Sequence, residues 1–126
     1  MKRLLYVSDS RIGDDKVALN QILDEAQKNN TEQGLTGLLW TNGKQFAQVI
    51  EGEQDPIFDV LAGLIKDPRH ENLDIVSLIS VSERVFGKWS MIMADDTYED
   101  EMHEQLAWLD TNLARIFGHI INTKII

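Results

Sequence analysis

Two hydrophobic periods alternate along this chain, and each change of period marks a boundary. From Arg3 to Ser8 the pattern is strand-like, sending Leu4, Tyr6 and Ser8 to one face and Arg3, Leu5 and Val7 to the other. Asp14 then reads as the N-cap of a helix in which Val17, Ala18, Ile22, Leu23 and Ala26 recur at helical spacing. That helix is expected to end near Asn29-Asn30, with Gly34 closing the loop. Leu35 to Thr41 is apolar enough for a central strand, and Asn42-Gly43 is a strong hairpin signal. Gln45 to Gly52 should therefore run back antiparallel beside it. Asp55 as cap and Pro56 at the first helical position open a second helix with Ile57, Val60, Leu61, Leu64 and Ile65 as its apolar set; Asp67-Pro68 stops it. Leu73 to Ser82 reads as a fourth strand. Lys88 to Ala94 reads as a fifth, with Trp89, Met91 and Met93 on one face.

The resulting order, βαββαββ, predicts an α+β fold: a ferredoxin-like sheet with both helices on one face. Residues 1–96 form that unit. Residues 97–126 carry a further helix, from about Tyr98 to Ile121, for sheet packing, dimerisation or signal output. Along it Met102, Leu106, Leu109, Leu113, Ile116 and Ile120 make a heptad-like seam. The seam fits the open face of the sheet, and it equally fits a homodimer or higher oligomer.

Composition narrows the function classes. The net charge is −9, which lacks the basic footprint nucleic acid requires and does not suit an anionic membrane surface. No apolar run approaches the ~20 residues of a membrane span. The chain has no cysteine and opens directly on a strand without signal-peptide architecture, so a cytoplasmic location is expected. His70, His103 and His119 lack metal-ligand spacing, and neither a nucleophile elbow nor a phosphate loop is present. No catalytic residues and no metal are expected.

The chemistry that remains is neutral hydrogen bonding. Alternation puts Gln48 between Phe46 and Ile50 on a face that should be buried, where an unpaired amide costs a few kcal/mol. In a ferredoxin-like sheet the first and third strands are adjacent, so Tyr6 and Gln48 should meet beneath the helices, near Asn30. A phenol and two amides offer donors and acceptors without charge. Such a set suits a planar heterocycle, and a self-satisfied core network is the plain alternative.

These residues also carry a resemblance. Tyr6, then Asn29-Asn30-x3-Gly34-Leu35-Thr36-Gly37-Leu38-Leu39, then Phe46-x-Gln48-x-Ile50-Glu51-Gly52 resemble the BLUF domain, a blue-light photoreceptor that uses flavin. Asp67-Pro68-Arg69-His70 and Glu83-Arg84-x-Phe86-x2-Trp89-x-Met91 extend the match to about residue 94. The resemblance implies FAD as cofactor, with FMN or riboflavin as other occupants. It implies that Tyr6 and Gln48 are the photoswitch and that Trp89 and Met91 relay its state. Flavin contacts would come from Tyr6, Asn29, Asn30, Phe46, Gln48, Leu64, Asp67, Arg69 and His70. The family often has Arg and Ile where this chain has Gly63 and Leu64, and an aliphatic residue where it has Trp40.

By the same resemblance, excited flavin takes an electron and a proton from Tyr6 and returns them. Gln48 is left rotated or tautomerised, which shifts absorption slightly to the red. The change would pass through the fifth strand and terminal helix to a separate effector protein. Two rivals share the architecture: a light-independent ligand-binding regulatory module, and an acylphosphatase-like enzyme. For the enzyme, Asp9-Ser10-Arg11-Ile12-Gly13 is a poor phosphate loop.

Overall fold

The structure, a computed structural model, describes residues 1–41, 43–86 and 92–94. Its elements are β1 (Lys2–Ser10), α1 (Lys16–Gln33), β2 (Thr36–Thr41), β3 (Gln45–Gly52), α2 (Gln54–Lys66), β4 (His70–Ser80) and β5 (Ile92–Ala94). They form one five-stranded sheet in the order β4-β1-β3-β2-β5, antiparallel except for the β2–β5 pair. The α+β, ferredoxin-like expectation holds, and β1 and β3 are the adjacent pair it required. The expectations for the 97–126 helix, and for Trp89 and Met91, lie outside the described residues.

Period-2 alternation on β1, β2 and β3 generates the core. Leu4, Tyr6, Leu35, Leu39, Phe46, Ile50 and Ile57 are buried in one cluster, against which Leu19, Ile22, Leu23 and Ala26 of α1 and Val60, Leu61 and Leu64 of α2 pack. Each large side chain fully buried there contributes about 1.5–3 kcal/mol. On the opposite side of the strands Leu5, Leu38, Ala47 and Val49 are buried as well, together with the atypical Trp40.

The helix boundaries and faces depart from the sequence expectation in four places. The N-cap of α1 is Asp15, not Asp14; its Oδ1 accepts the Ala18 N–H at 3.1 Å. The helix runs a turn past Asn29-Asn30, because the Asn30 carbonyl accepts the N–H groups of Gly34, at a left-handed φ of 68°, and of Leu35. That is the αL termination glycine makes easily. The N-cap of α2 is Glu53, which makes no side-chain cap bond, so Asp55 and Pro56 lie inside the first turn, where Asp55 faces the positive helix dipole. Val17 and Ile65 are 69% and 64% exposed, and Leu19 takes the core place expected of Val17.

The ladders on the two sides of β1 differ. Towards β3 the register is unbroken from Lys2↔Gly52 to Asp9↔Gln45. Towards β4 it slips between Leu5 and Tyr6 and again between Val7 and Asp9. Below this, Arg3 and Glu51 form a buried ion pair, Nε to Oε2 at 2.9 Å. The Glu51 carboxylate also accepts the backbone N–H groups of Val85 at 2.9 Å and Phe86 at 2.5 Å. Arg84 donates to the Thr36 hydroxyl and to the Gly34 and Glu51 carbonyls. The chain leading towards β5 is thereby fastened to β3. Gly52 is required next to this knot, since a Cβ there would collide with the Leu35 side chain.

Candidate functional site

Between the helices and the sheet lies a cavity of about 330 Å³, within the size range of small-molecule sites. Strand alternation aims Tyr6, Phe46, Gln48 and Leu39 into it from the sheet, and helical spacing brings Ile22, Ala26, Val60 and Leu64 over the top. Tyr6 and Gln48 are directly paired across β1 and β3, and the Tyr6 hydroxyl donates to Gln48 Oε1. Burial, with a smaller contribution from the charge of Asp67, pushes the Tyr6 phenol well above the ordinary tyrosine value. The phenol is therefore a proton donor at all ordinary pH. Because Gln48 meets it through Oε1, the NH2 end of the amide is the end that donates elsewhere. Asn30, the one buried residue of α1, completes a neutral floor.

His70 braces that floor. Its Nε2 donates to the Leu64 carbonyl at 2.6 Å, and its Nδ1 lies 2.7 Å from the Ser8 hydroxyl. The ring meets Tyr6 and Phe46 edge-on at centroid distances of 6.1 and 6.3 Å. One imidazole thus ties β1, the end of α2 and the start of β4 together.

The mouth is charged. Arg69 Nε and Nη2 donate to the Asp67 carboxylate in a bidentate pair, and Nη2 also donates to Glu25 Oε2 on α1 at 2.8 Å. The side-chain hydrogen bonds from Arg69 hold the Asp67 carboxyl below the usual carboxylate range, against an opposing effect of burial. The Arg69 guanidinium is raised in turn, first by its bonds to Asp67.

Every described residue expected at the site lines this cavity: Tyr6, Asn29, Asn30, Phe46, Gln48, Leu64, Asp67, Arg69 and His70. Sequence reasoning missed Glu25, Gln33, Leu39 and Asp59, which line it too. The signal was helical spacing: Glu25 lies four residues before Asn29, and Asp59 four before Gly63. Gly63 borders the cavity, and a Cβ there would meet nothing within 4 Å. Among the described residues no group of His, Asp and Glu could hold a metal ion, and no helix is long and apolar enough to cross a membrane.

A cavity with a phenol and two amides among the apolar side chains Ile22, Leu39, Phe46, Val60 and Leu64 fits an isoalloxazine ring, whose edge presents carbonyls and ring nitrogens but no full charge. The similarity of the chain to known proteins points to the same ligand. Residues 1–92 match the family model of BLUF, sensors of blue-light using FAD. The photoactivated adenylate cyclase subunit beta of Euglena gracilis is 30% identical over 74% of this chain and 11% of its own length. The blue light- and temperature-regulated antirepressor BluF of Escherichia coli (strain K12) is 28% identical over 73% of this chain and 23% of its own. The chain thus matches less than a quarter of the length of either relative. Among solved structures, the dark state of the BLUF protein BlrB aligns with a TM-score of 0.72 at 29% identity, covering 91% of this chain and 82% of that one. The photo-activated state of BlsA aligns equally well, at 28% identity and with 92% and 90% covered.

Proposed function

Because this chain belongs to the BLUF family of blue-light sensors using FAD, we propose that its photoswitch is the in-register Tyr6–Gln48 pair at the cavity floor. The domain is a sensor module that uses flavin, not a catalyst. When bound, the flavin supplies blue absorption and an excited state able to accept an electron and a proton. Asn30 and Gln48 would hold the polar ring edge, Phe46 and Leu64 would pack on the ring, and Asn29, Asp67, Arg69 and His70 would border the remainder.

Tyr6 is the donor. It is protonated and shielded from water, and its proton is already directed at Gln48 Oε1. Loss of an electron makes a phenol strongly acidic, so the proton leaves with it along the line that Gln48 holds. Gln48 is the memory of the event. Its carbonyl and NH2 ends have opposite polarity, so turning the amide end for end, or tautomerising it, reverses every hydrogen bond it makes. The return of electron and proton then leaves Tyr6 restored beside an altered Gln48.

A route outward follows from sheet register. Gln48 is directly opposite Leu39 of β2, and Leu39 is opposite Met93 of β5, so one transverse row runs Tyr6–Gln48–Leu39–Met93. A shift at Gln48 reaches the β5 backbone two strands away. This supports a relay through the segment carrying Trp89 and Met91 towards an effector.

The observation that carries the reading is the Tyr6–Gln48 hydrogen bond lining a cavity of small-molecule size. An absorption spectrum of the purified protein in darkness and under blue light tests it. A flavin band that moves a little to the red and relaxes back is the expected result. A flavin band indifferent to light would end the switch assignment.

A further inference from the structure

We propose that the mouth of the cavity disfavours the phosphate of a flavin, so that this chain binds riboflavin more tightly than FMN, from which it differs by that phosphate alone. The inference rests on the flavin reading above and concerns the part of the ligand that reaches solvent.

The cavity changes character with depth. Its floor, Tyr6, Asn30 and Gln48, is buried and uncharged, whereas its mouth is exposed and acidic. Glu25 of α1, Asp59 of α2 and Asp67 after it all line the cavity. Among the described lining residues Arg69 is the only Lys or Arg, and its guanidinium is already engaged. Nε sits 2.9 and 3.2 Å from the two Asp67 oxygens, and Nη2 sits 2.7 Å from Asp67 and 2.8 Å from Glu25. Glu25 and Asp67 therefore already hold the one cation of the lining, and Asp59 adds a third carboxylate to it.

The helices offer no phosphate site in compensation. Protein phosphate sites ordinarily use a helix N-terminus or an uncommitted Arg fork. Here the lining side chains come from Ile22 to Gln33 of α1 and from Asp59 to Leu64 of α2, and the first turn of neither helix lines the cavity. A phosphate monoester, at about −1.5 to −2 near neutral pH, meets like charge from both walls. A ribityl chain without phosphate meets only hydroxyl-compatible groups.

The test is a fluorescence-quenching titration of the flavin-free protein with riboflavin and with FMN. At ~0.01 M salt, where the screening length is about 30 Å, riboflavin should bind about three- to tenfold tighter; at ~1 M the gap should close. Glu25→Gln relieves one repulsion and releases Arg69, and Asp59→Asn relieves another; each should narrow the gap. Gly63→Arg places a cation where the structure is open and should reverse the order. Equal or tighter FMN binding by the unaltered chain at low salt overturns the selectivity while the flavin reading stands. Failure of both flavins to bind overturns the two together.

Discussion

Glu51 Oε1 and the backbone N–H of Phe86 lie 2.5 Å apart, with both residues essentially inaccessible to water. The same carboxylate neutralises buried Arg3 and accepts the Val85 N–H. A charge so placed is tolerated because each of its partners is supplied. Replacing Glu51 with Ala would strand a guanidinium and two amide groups at once. The expected cost is about 3–5 kcal/mol, the range for breaking a buried pair from one side. Urea denaturation of the two proteins measures it, and a loss under about 1 kcal/mol would show that the network behaves like a surface pair.

Gln48→Leu should keep the cavity and its flavin yet abolish the light-induced shift, because a leucine has no ends of opposite polarity. Tyr6→Phe removes the donor and should likewise bind flavin without forming a lasting illuminated state. Light-minus-dark difference spectra decide both. A normal photocycle in either variant would be incompatible with the roles assigned here.

Asn30→Ala takes one polar contact from the ring-binding floor while leaving the Asn30 carbonyl that ends α1. A net hydrogen bond is worth about 0.5–1.5 kcal/mol, so flavin affinity should fall by up to about tenfold. Flavin release on dilution reports it, and an unchanged affinity would remove Asn30 from the contact set.

Asp67 gives the acid side of the stability profile a specific contributor. Its carboxyl is lowered in the folded protein, chiefly by the Arg69 hydrogen bonds. The stabilisation is therefore fully present above the ordinary carboxylate value of about 4 and disappears as pH falls through the depressed folded value. Asp67→Asn should be less stable than the parent near pH 7 and lose less stability on acidification. Melting temperatures across pH 2–7, taken as a range of about five units around that value, test the sign.

How far the sequence reached depends on the range of the physics involved. Tyr6 and Gln48 were legible as a pair because strand alternation fixes their face and the strand order of the fold fixes their adjacency. Asn29, Leu64, Asp67, Arg69 and His70, which line the same cavity, came from the resemblance alone, and Glu25, Gln33, Leu39 and Asp59 were missed. The end of α1 was not legible, since two asparagines looked like a terminator, whereas Asn30 is buried at the site and its carbonyl serves the cap at Gly34. Val17 and Ile65 were misjudged because helical spacing defines an apolar arc wider than the strip that touches the sheet. Glu51 was legible only as part of a motif. Its partners lie 34 to 48 residues away in the chain, beyond anything local periodicity reports.

The unequal ladders of β1 give the sheet a direction. On the β3 side every rung is matched, so a displacement of the Tyr6 backbone moves Gln48 with it. On the β4 side the two slips flank Tyr6, and the mismatch there can take up slack. Movement at the proposed switch would thus be carried stiffly one way and dissipated the other, as in a ratchet with one compliant wall. Amide exchange after a light pulse should accordingly change along β3 and β2 before it changes along β4.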